Sequence, residues 1–535
     1  MEQKTLNEKN EEKGRDLSRR KFIKATGVAT AAFTVIPRHV LGGKGYVAPS
    51  DKIQLAHIGC GTQGFNELAP LLACPDIQIT AVCDPEKDGR NYVSWFKGMV
   101  AGTIRGILND PGWREGIDYV PGGRDVAREV VNAFYAKNRG SDNFKGVTAY
   151  ADFRELLEKE SIDAVKIMTP DHLHGVFSVW AMQKGINVIM HKPLSNRISE
   201  VKKVVETAAR TKAATYFMPW NSTDPIDKIM QWINEGVIGT LQEIHNWSSR
   251  PVWPQYLEIP AERPPVPEGF DWDLWLGPEA YRDYSPEYTH TVFRGWYDFG
   301  AGSIADMGHY SLWSVFNALD LDAPVSSEAF GSHACKIVDS SSKTIVNDYS
   351  FPLASTIRFT FAAKGSRPEI DLVWYDGGMK PTIVRELEED NETLPSEGML
   401  FVGDKGKILT SFIPGNENAR IIPKRKREAL LGPDPVKEDN TPDYSSFFRG
   451  GMPAMMPVNT ALPKDMDKWI AACRGAEPGP GNFIQAKALA ETMTLGAVAL
   501  RAGRKIEYDS EKMEISNYPE ANKYLVREYR EGWEI

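Results

Sequence analysis

Ile53-Gln54-Leu55-Ala56-His57-Ile58-Gly59-Cys60-Gly61-Thr62-Gln63-Gly64 is the stretch that decides the fold of this chain. A short apolar run ends in G-x-G-x-x-G, and helical spacing follows over Thr62–Ala73. A second apolar run, Ile77–Cys83, ends on Asp84, 20 residues beyond Gly64. Each part has a chemical reason. The glycines allow a tight turn and close approach of backbone to a pyrophosphate. The helix start offers free N–H groups, and a carboxylate ending the next strand can accept both hydroxyls of a ribose. The stretch therefore predicts a dinucleotide site in which Gly59, Gly61, Thr62, Gln63, Gly64 and Asp84 meet the cofactor. Asp84 favours NAD, because a carboxylate repels a 2′-phosphate, while Lys87 and Arg90 keep NADP possible.

The same alternation continues outward. Phe153–Lys159, Leu173–Lys184 and Glu200–Lys212 read as helices; Ala164–Met168, Asn187–Met190 and Ala214–Phe217 read as extended. Strands and helices in turn, with short connections, make a parallel sheet covered on both faces. Residues 85–146 break the rhythm and read as an insertion with one helix near Asp125–Lys137. After about residue 220 the character changes. Eight of the 14 tryptophans lie from Trp220 to Trp313, and 251–267 is rich in proline. Alternating runs at Ser355–Ala362 and Met399–Thr410 predict a largely antiparallel open sheet. The fold class is thus α/β: an N-terminal Rossmann domain, a doubly wound parallel sheet, over 51–218, then an α/β domain over 219–510 and a tail over 511–535. The tail is charged and aromatic and is expected to wrap back onto the body.

Composition narrows the function classes. The 535 residues carry 63 basic and 72 acidic side chains, a net charge of −9, with no dominant basic block, which excludes a general nucleic-acid binder. Five cysteines without C-x-x-C spacing argue against a disulfide scaffold or zinc ribbon. No stretch reaches the ~20 apolar residues of a membrane-spanning helix. Residues 1–50 read as a leader and export signal: Ser18-Arg19-Arg20-Lys21-Phe22 precedes a short apolar run, Ala25–Ile36, that Pro37 ends. Paired arginines before so short an apolar core predict the twin-arginine route and a periplasmic or otherwise exported location.

Taken in order, GCGTQG, AVCD, TPDHLH, HKP and DMGH resemble the Gfo/Idh/MocA family of oxidoreductases over roughly residues 52–510, in its twin-arginine-exported branch. The resemblance implies an enzyme that oxidises or reduces a sugar, cyclitol or derivative with NAD(P). It also implies a small-molecule carbohydrate substrate and a homo-oligomer, dimer or tetramer, built on the open sheet. It places Thr169, Pro170 and His174 beside the nicotinamide ribose and maps the family's Glu-Lys-Pro onto His191-Lys192-Pro193. Lys192 would then hold both cofactor and a substrate hydroxyl. The family's acid and histidine stand four residues apart, whereas here His309 follows Asp306 by three and Tyr310 holds the fourth position. His309 is favoured as general base because imidazole titrates near neutrality. Asp306 would orient it, and Tyr310 is its rival.

Three further readings complete the site. Asp171, His172 and His174 could in principle hold a metal, but the loop has a sufficient role at the cofactor, so no metal is assigned. Arg250-Pro251-Val252-Trp253-Pro254 and Arg294-Gly295-Trp296-Tyr297-Asp298 set aromatics beside hydrogen-bonding groups, which suits a sugar, so Trp253, Arg294 and Trp296 are expected to touch substrate. The leading function is an exported, NAD(P)-dependent sugar oxidoreductase with a tightly held cofactor. One alternative is an NAD-dependent glycoside hydrolase or lyase working through a transient keto-sugar. The other is a non-catalytic sugar-binding protein with a vestigial site.

Overall fold

The computed structural model describes residues 51–94, 96–138, 144–382, 384–432 and 454–535. The paired arginines and the apolar run after them lie outside the described residues. Among the described residues no helix is long and apolar enough to cross a membrane.

The first sheet comprises β1 (Ile53–Ile58), β2 (Ile77–Cys83), β5 (Thr148–Tyr150), β6 (Ala164–Ile167), β7 (Asn187–Met190) and β8 (Thr215–Phe217), in the order β5-β2-β1-β6-β7-β8. Every pairing is parallel. This is the Rossmann arrangement, and the order reverses at β1, where such sheets place their ligands. Its central strands are buried on both faces, which is why they read as continuous apolar runs; β6 is buried at all four positions. Helices Asp171–Gln183 and Ile198–Thr211 cover one face, and helices Arg124–Asn138 and Met466–Cys473 cover the other. Trp469, 1% exposed, anchors that last helix by donating from its indole N–H to the Ala214 carbonyl at 3.1 Å.

Two local expectations change. Thr62–Ala73 is not one helix but two short ones, Thr62–Asn66 and Ala69–Ala73. Pro70 has no N–H to bond the Asn66 carbonyl, so the ladder breaks. In the turn between the two helices the Glu67 carbonyl accepts from the Lys166 ammonium at 3.0 Å. The insertion holds more than one helix: Met99–Leu108 precedes Arg124–Asn138, and β3 (Gly89–Tyr92) pairs with β4 (Val120–Gly122). Glycines hid that first helix from its pattern; Gly106 is where the Met456 carbonyl packs, 2.1 Å from where a Cβ would stand.

The second sheet has nine strands: β9 (Leu241–Trp247), β10 (Ser326–Gly331), β13 (Ser355–Phe361), β14 (Ile370–Tyr375), β15 (Gly398–Gly403), β16 (Gly406–Thr410), β17 (Arg420–Ile422), β18 (Ile506–Asp509) and β19 (Glu514–Ile515). A separate hairpin joins β11 (Ala334–Val338) to β12 (Ser341–Ile345). Apart from the parallel β9/β14 pair, the large sheet is antiparallel. In β13 and β14 alternate residues are buried, so one face packs on the main core and the other is mostly half-buried. Helices Gly302–Ala318 and Lys487–Ala502 lie on the packed face, in a core continuous with one face of the first sheet. That shared core fixes the helix bearing Asp306 against the strand ends bearing Lys192.

Candidate active site

The carboxyl ends of β1, β2, β6 and β7 open onto one cleft. Gly59, Gly61, Thr62, Gln63 and Asp84 line one end of it, and Lys192, Asp306 and Tyr310 line the other. Gly59 has φ +91°, and a Cβ there would stand 2.6 Å from the Met168 carbonyl carbon, so only glycine brings the loop this close to β6. Gly64 does not line the cleft. Its Cβ would meet the Gly59 carbonyl oxygen at 2.3 Å, so this glycine serves helix–strand packing.

Asp84 departs from its expected duty. Its carboxylate already accepts from the Cys60 N–H at 2.7 Å, the Glu86 N–H at 2.9 Å and the Tyr92 hydroxyl at 3.2 Å. A carboxylate has about four acceptor positions, so one remains for a ribose hydroxyl rather than two. Burial pushes the Asp84 carboxyl up from its ordinary pKa. Lys87 and Arg90 are exposed and do not line the cleft, so a 2′-phosphate would face Asp84 without them. Thr169 and Pro170 do line it, and the enclosed Thr169 hydroxyl has no hydrogen-bond partner among the described residues. The glycine cradle, the acid and this waiting hydroxyl fit an adenine dinucleotide.

His174 does not line the cleft. Its ring sits between two backbone carbonyls, Nδ1 at 2.6 Å from Pro193 and Nε2 at 2.8 Å from Thr169, tying the TPDHLH loop to the HKP loop. Burial lowers its pKa to about 4. His172 points elsewhere, to the Trp275 carbonyl at 2.9 Å, so the two rings do not converge on a common point. Asp171 accepts from the Ala301 N–H at 3.1 Å and so fixes the loop to the start of the helix carrying Asp306.

At the opposite end, the Lys192 ammonium touches Asp306 Oδ1, and both side chains are buried. Arg294 Nε lies 3.4 Å from the same oxygen and Arg250 Nε 3.6 Å from Oδ2. Burial alone would raise the Asp306 carboxyl, but Lys192 and Arg294 outweigh it and hold it at about 2. Burial lowers Lys192 from its ordinary pKa, against the pull of Asp306. The result is a firmly ionised acid beside an amine made easier to deprotonate.

Of the two rivals on the helix, Tyr310 faces the cleft, as Asp306 does, and His309 does not. At 3.6 residues per turn, positions three and four beyond Asp306 swing to opposite sides of it. The three-residue step turns His309 into the core, edge-on to Phe217 with ring centroids 5.4 Å apart. Its Nδ1 is spent on the Ala305 carbonyl at 2.7 Å, and burial drops its pKa to about 3. Tyr310 instead carries its hydroxyl to His191 Nε2 at 3.0 Å, with its ring centroid 5.7 Å from the Lys192 ammonium. Burial pushes the Tyr310 phenol up.

The missing family acid has a substitute. Where the family has Glu before Lys-Pro, His191 stands here, and its Nε2 lies 3.2 Å from Glu67 Oε1. Glu67 Oε2 in turn lies 3.1 Å from Lys166, a buried lysine in the middle of β6. Burial would raise the Glu67 carboxyl, yet Lys166 and His191 hold it well below the usual carboxylate range. Burial lowers the pKa of His191. The sequence pattern did not flag Glu67; its position just past the glycine loop, directly before a proline-broken turn, was the available signal.

Of the expected substrate contacts, Arg294 lines the cleft and the two tryptophans do not. Trp253 is 5% exposed and borders a separate surface hollow with Ser249, Pro251 and Gly377. Trp296 is 1% exposed; it stacks on Tyr256 at 4.5 Å and donates to the Glu287 carbonyl at 2.7 Å. Both are core residues because their neighbours bury them from every side. Arg250, from the same loop as Trp253, is the residue that reaches the site.

Two family models match the chain in the order of its two domains. A family model described as the NAD-binding Rossmann fold of an oxidoreductase family matches residues 124–218, and its C-terminal alpha/beta domain matches 226–339. A glycosyl hydrolase family 109 protein of Shewanella baltica is 25% identical over 243 residues, 42% of this chain and 44% of that protein. An alpha-N-acetylgalactosaminidase of Shewanella oneidensis is 23% identical over 212 residues, 37% of this chain and 38% of the relative. The chain thus matches less than half the length of these relatives. Among solved structures, the WlbA dehydrogenase of Chromobacterium violaceum, in complex with NADH and UDP-GlcNAcA, has a TM-score of 0.47 at 14% identity, covering 86% of this chain and 96% of that one. The aldose-aldose oxidoreductase of Caulobacter crescentus has a TM-score of 0.43 at 13% identity, covering 85% and 99%. The two family models fall in order on the two domains that build the cleft, and over residues 124–218 and 226–339 the chain matches the Gfo/Idh/MocA family of oxidoreductases.

Proposed function

We propose that the protein is an NAD-dependent oxidoreductase acting on a hydroxyl or ketone of a sugar, glycoside or cyclitol. The observation that carries this is the Lys192–Asp306 pair with Tyr310 at the closed end of the cleft that begins at the dinucleotide loop. A bound nicotinamide would supply the hydride chemistry. The chain itself handles orientation and the proton. Asp306, ionised and pinned by Arg250 and Arg294, holds Lys192 in place, and Lys192 takes the hydroxyl proton of the substrate as its neutral amine. Tyr310 and His191 form a hydrogen-bonded pair beside Lys192, whose ammonium stands 5.7 Å from the Tyr310 ring centroid and so faces its π cloud.

The names of the Shewanella relatives favour a second reading, NAD-dependent glycoside hydrolysis through a transient keto-sugar that regenerates the cofactor in place. The paired Arg19-Arg20 before a short apolar run supports export, and free NAD is not expected outside the cytoplasm, so both readings then require a cofactor that stays bound. The half-buried outer face of β13 and β14 supports a homodimer or tetramer.

Denatured protein from its native compartment should release NAD; a protein that neither holds nor can be loaded with dinucleotide would sink both readings. Loaded protein given aryl glycosides without added NAD should then release aglycone over many turnovers if it hydrolyses, or accumulate keto-sugar and NADH if it dehydrogenates. Replacing Tyr310 with Phe should lower kcat by about tenfold or more. His309→Phe should shift the melting temperature more than kcat. The opposite pattern would restore His309 as the base.

A further inference from the structure

The cofactor cleft has a wall that the glycine loop and the catalytic pair do not account for. Trp533, in the C-terminal tail and 3% exposed, lines it together with Phe153, Leu173 and Phe177. These residues stand at the adenosine end. β5 pairs with β2 on the side away from Lys192, and the Asp84 N–H donates to the Tyr150 carbonyl at 3.1 Å. The residues that follow Tyr150 therefore flank the ribose acid, and the purine of a dinucleotide lies beyond that ribose. We infer that the tail closes the purine pocket, that Trp533 is its wall, and that this segment governs how slowly the cofactor leaves.

The tail is built to hold that position. Arg527 is buried between domains: Nε lies 2.6 Å from Glu200 Oε1, Nη2 donates to Asn196 Oδ1 at 2.5 Å, and Nη1 touches Glu279. Arg530 Nε donates to the Gly277 carbonyl at 2.8 Å. Beyond them the Arg154 guanidinium covers the Trp533 ring at 4.6 Å, and the Trp180 indole donates to the Glu534 carbonyl at 3.2 Å. The Trp533 ring also packs on Trp180 and Phe177, with centroids 5.5 and 6.3 Å apart, so it backs an apolar wall with Phe153, Leu173 and Phe177. Such a wall suits a purine, with the ribose beside Asp84. A cofactor gripped at both ends leaves slowly, because the tail must part from the body before the purine can. This inference rests on the dinucleotide reading above.

The test uses full-length protein loaded with NADH. Its fluorescence is followed while excess unlabelled NAD chases it from the wild type, Trp533→Ala and Trp533→Phe; binding of ADP-ribose and of nicotinamide mononucleotide is measured in parallel. Trp533→Ala should lose NADH about tenfold faster or more, because it removes a large apolar side of the purine's wall. ADP-ribose should weaken by a similar factor, nicotinamide mononucleotide should not change, and Phe should fall between. An unchanged rate in both variants, or equal weakening of the two half-ligands, overturns the inference. If Trp533→Ala does not fold, Trp533→Phe and a Trp533→Leu variant that keeps apolar bulk carry the comparison. A wild-type protein that takes up no dinucleotide removes the functional reading as well, whereas one that holds it while the variants release it no faster removes only this inference.

Discussion

Replacing Lys192 with alanine should lower turnover by about 10²- to 10⁴-fold while the dinucleotide stays bound. The size follows from what remains at the closed end of the cleft. Asp306 at about 2 is too weak a base, and the Tyr310 phenol is pushed up by burial. Arg250 and Arg294 do not give up protons in proteins. The Lys192 amine is the group there whose burial brings it toward neutrality, so its loss removes the proton acceptor itself. Lys192→Arg separates charge from base chemistry: the positive neighbour of Asp306 returns, but no group able to deprotonate does. Turnover should stay low in that variant too. Single-turnover rates and bound-cofactor content, measured on both, check the expectation; near-normal kcat in Lys192→Ala would refute the site. The fold should tolerate the change because Arg250 and Arg294 still neutralise Asp306.

Arg527→Ala is expected to cost about 3–5 kcal/mol of stability, the largest of any single change considered, because it leaves buried carboxylates uncompensated. Glu200 is 0% exposed and Glu279 is 6% exposed. Burial alone would raise the Glu200 carboxyl, but Arg527 outweighs it and keeps it ionised. Arg197 survives 3.5 Å from the same Glu279 oxygen, a longer contact than the one Arg527 makes. Denaturant midpoints for Arg527→Ala, compared with an Arg527→Ala/Glu200→Gln double variant, should show partial recovery in the double variant, since the amide needs no counterion. Equal midpoints for the wild type and Arg527→Ala would show that the ion set contributes little.

Much of the first domain was legible in the linear pattern. Strand ends agree with the apolar runs within a residue or two, because central parallel strands must be apolar on both faces and are bounded by glycine or acid. The helix Met99–Leu108 escaped because Gly102 and Gly106 break its pattern where the segment at Met456 packs. The Met456 N–H donates to the Gly102 carbonyl at 2.9 Å, and the Met456 carbonyl sits where a Gly106 Cβ would stand. The tryptophan-rich loops misled for a related reason. An aromatic beside an arginine reads as a sugar contact, yet in Trp296 the indole N–H is satisfied by a carbonyl and the ring by Tyr256, so the residue is closed within the core.

Family, fold class and cofactor chemistry were therefore determined by the sequence itself, because glycine spacing, strand periodicity and the acid after β2 are local in the chain. Which residues meet in the cleft was decided by tertiary structure alone. The choice between His309 and Tyr310 is a rotation of one helix against its neighbours. Glu67 joins His191 across 124 residues of chain, and Trp533 reaches the first domain from the far end of the second. Contacts of that kind depend on where two separate elements pack, and nothing in the local pattern of either one encodes the other.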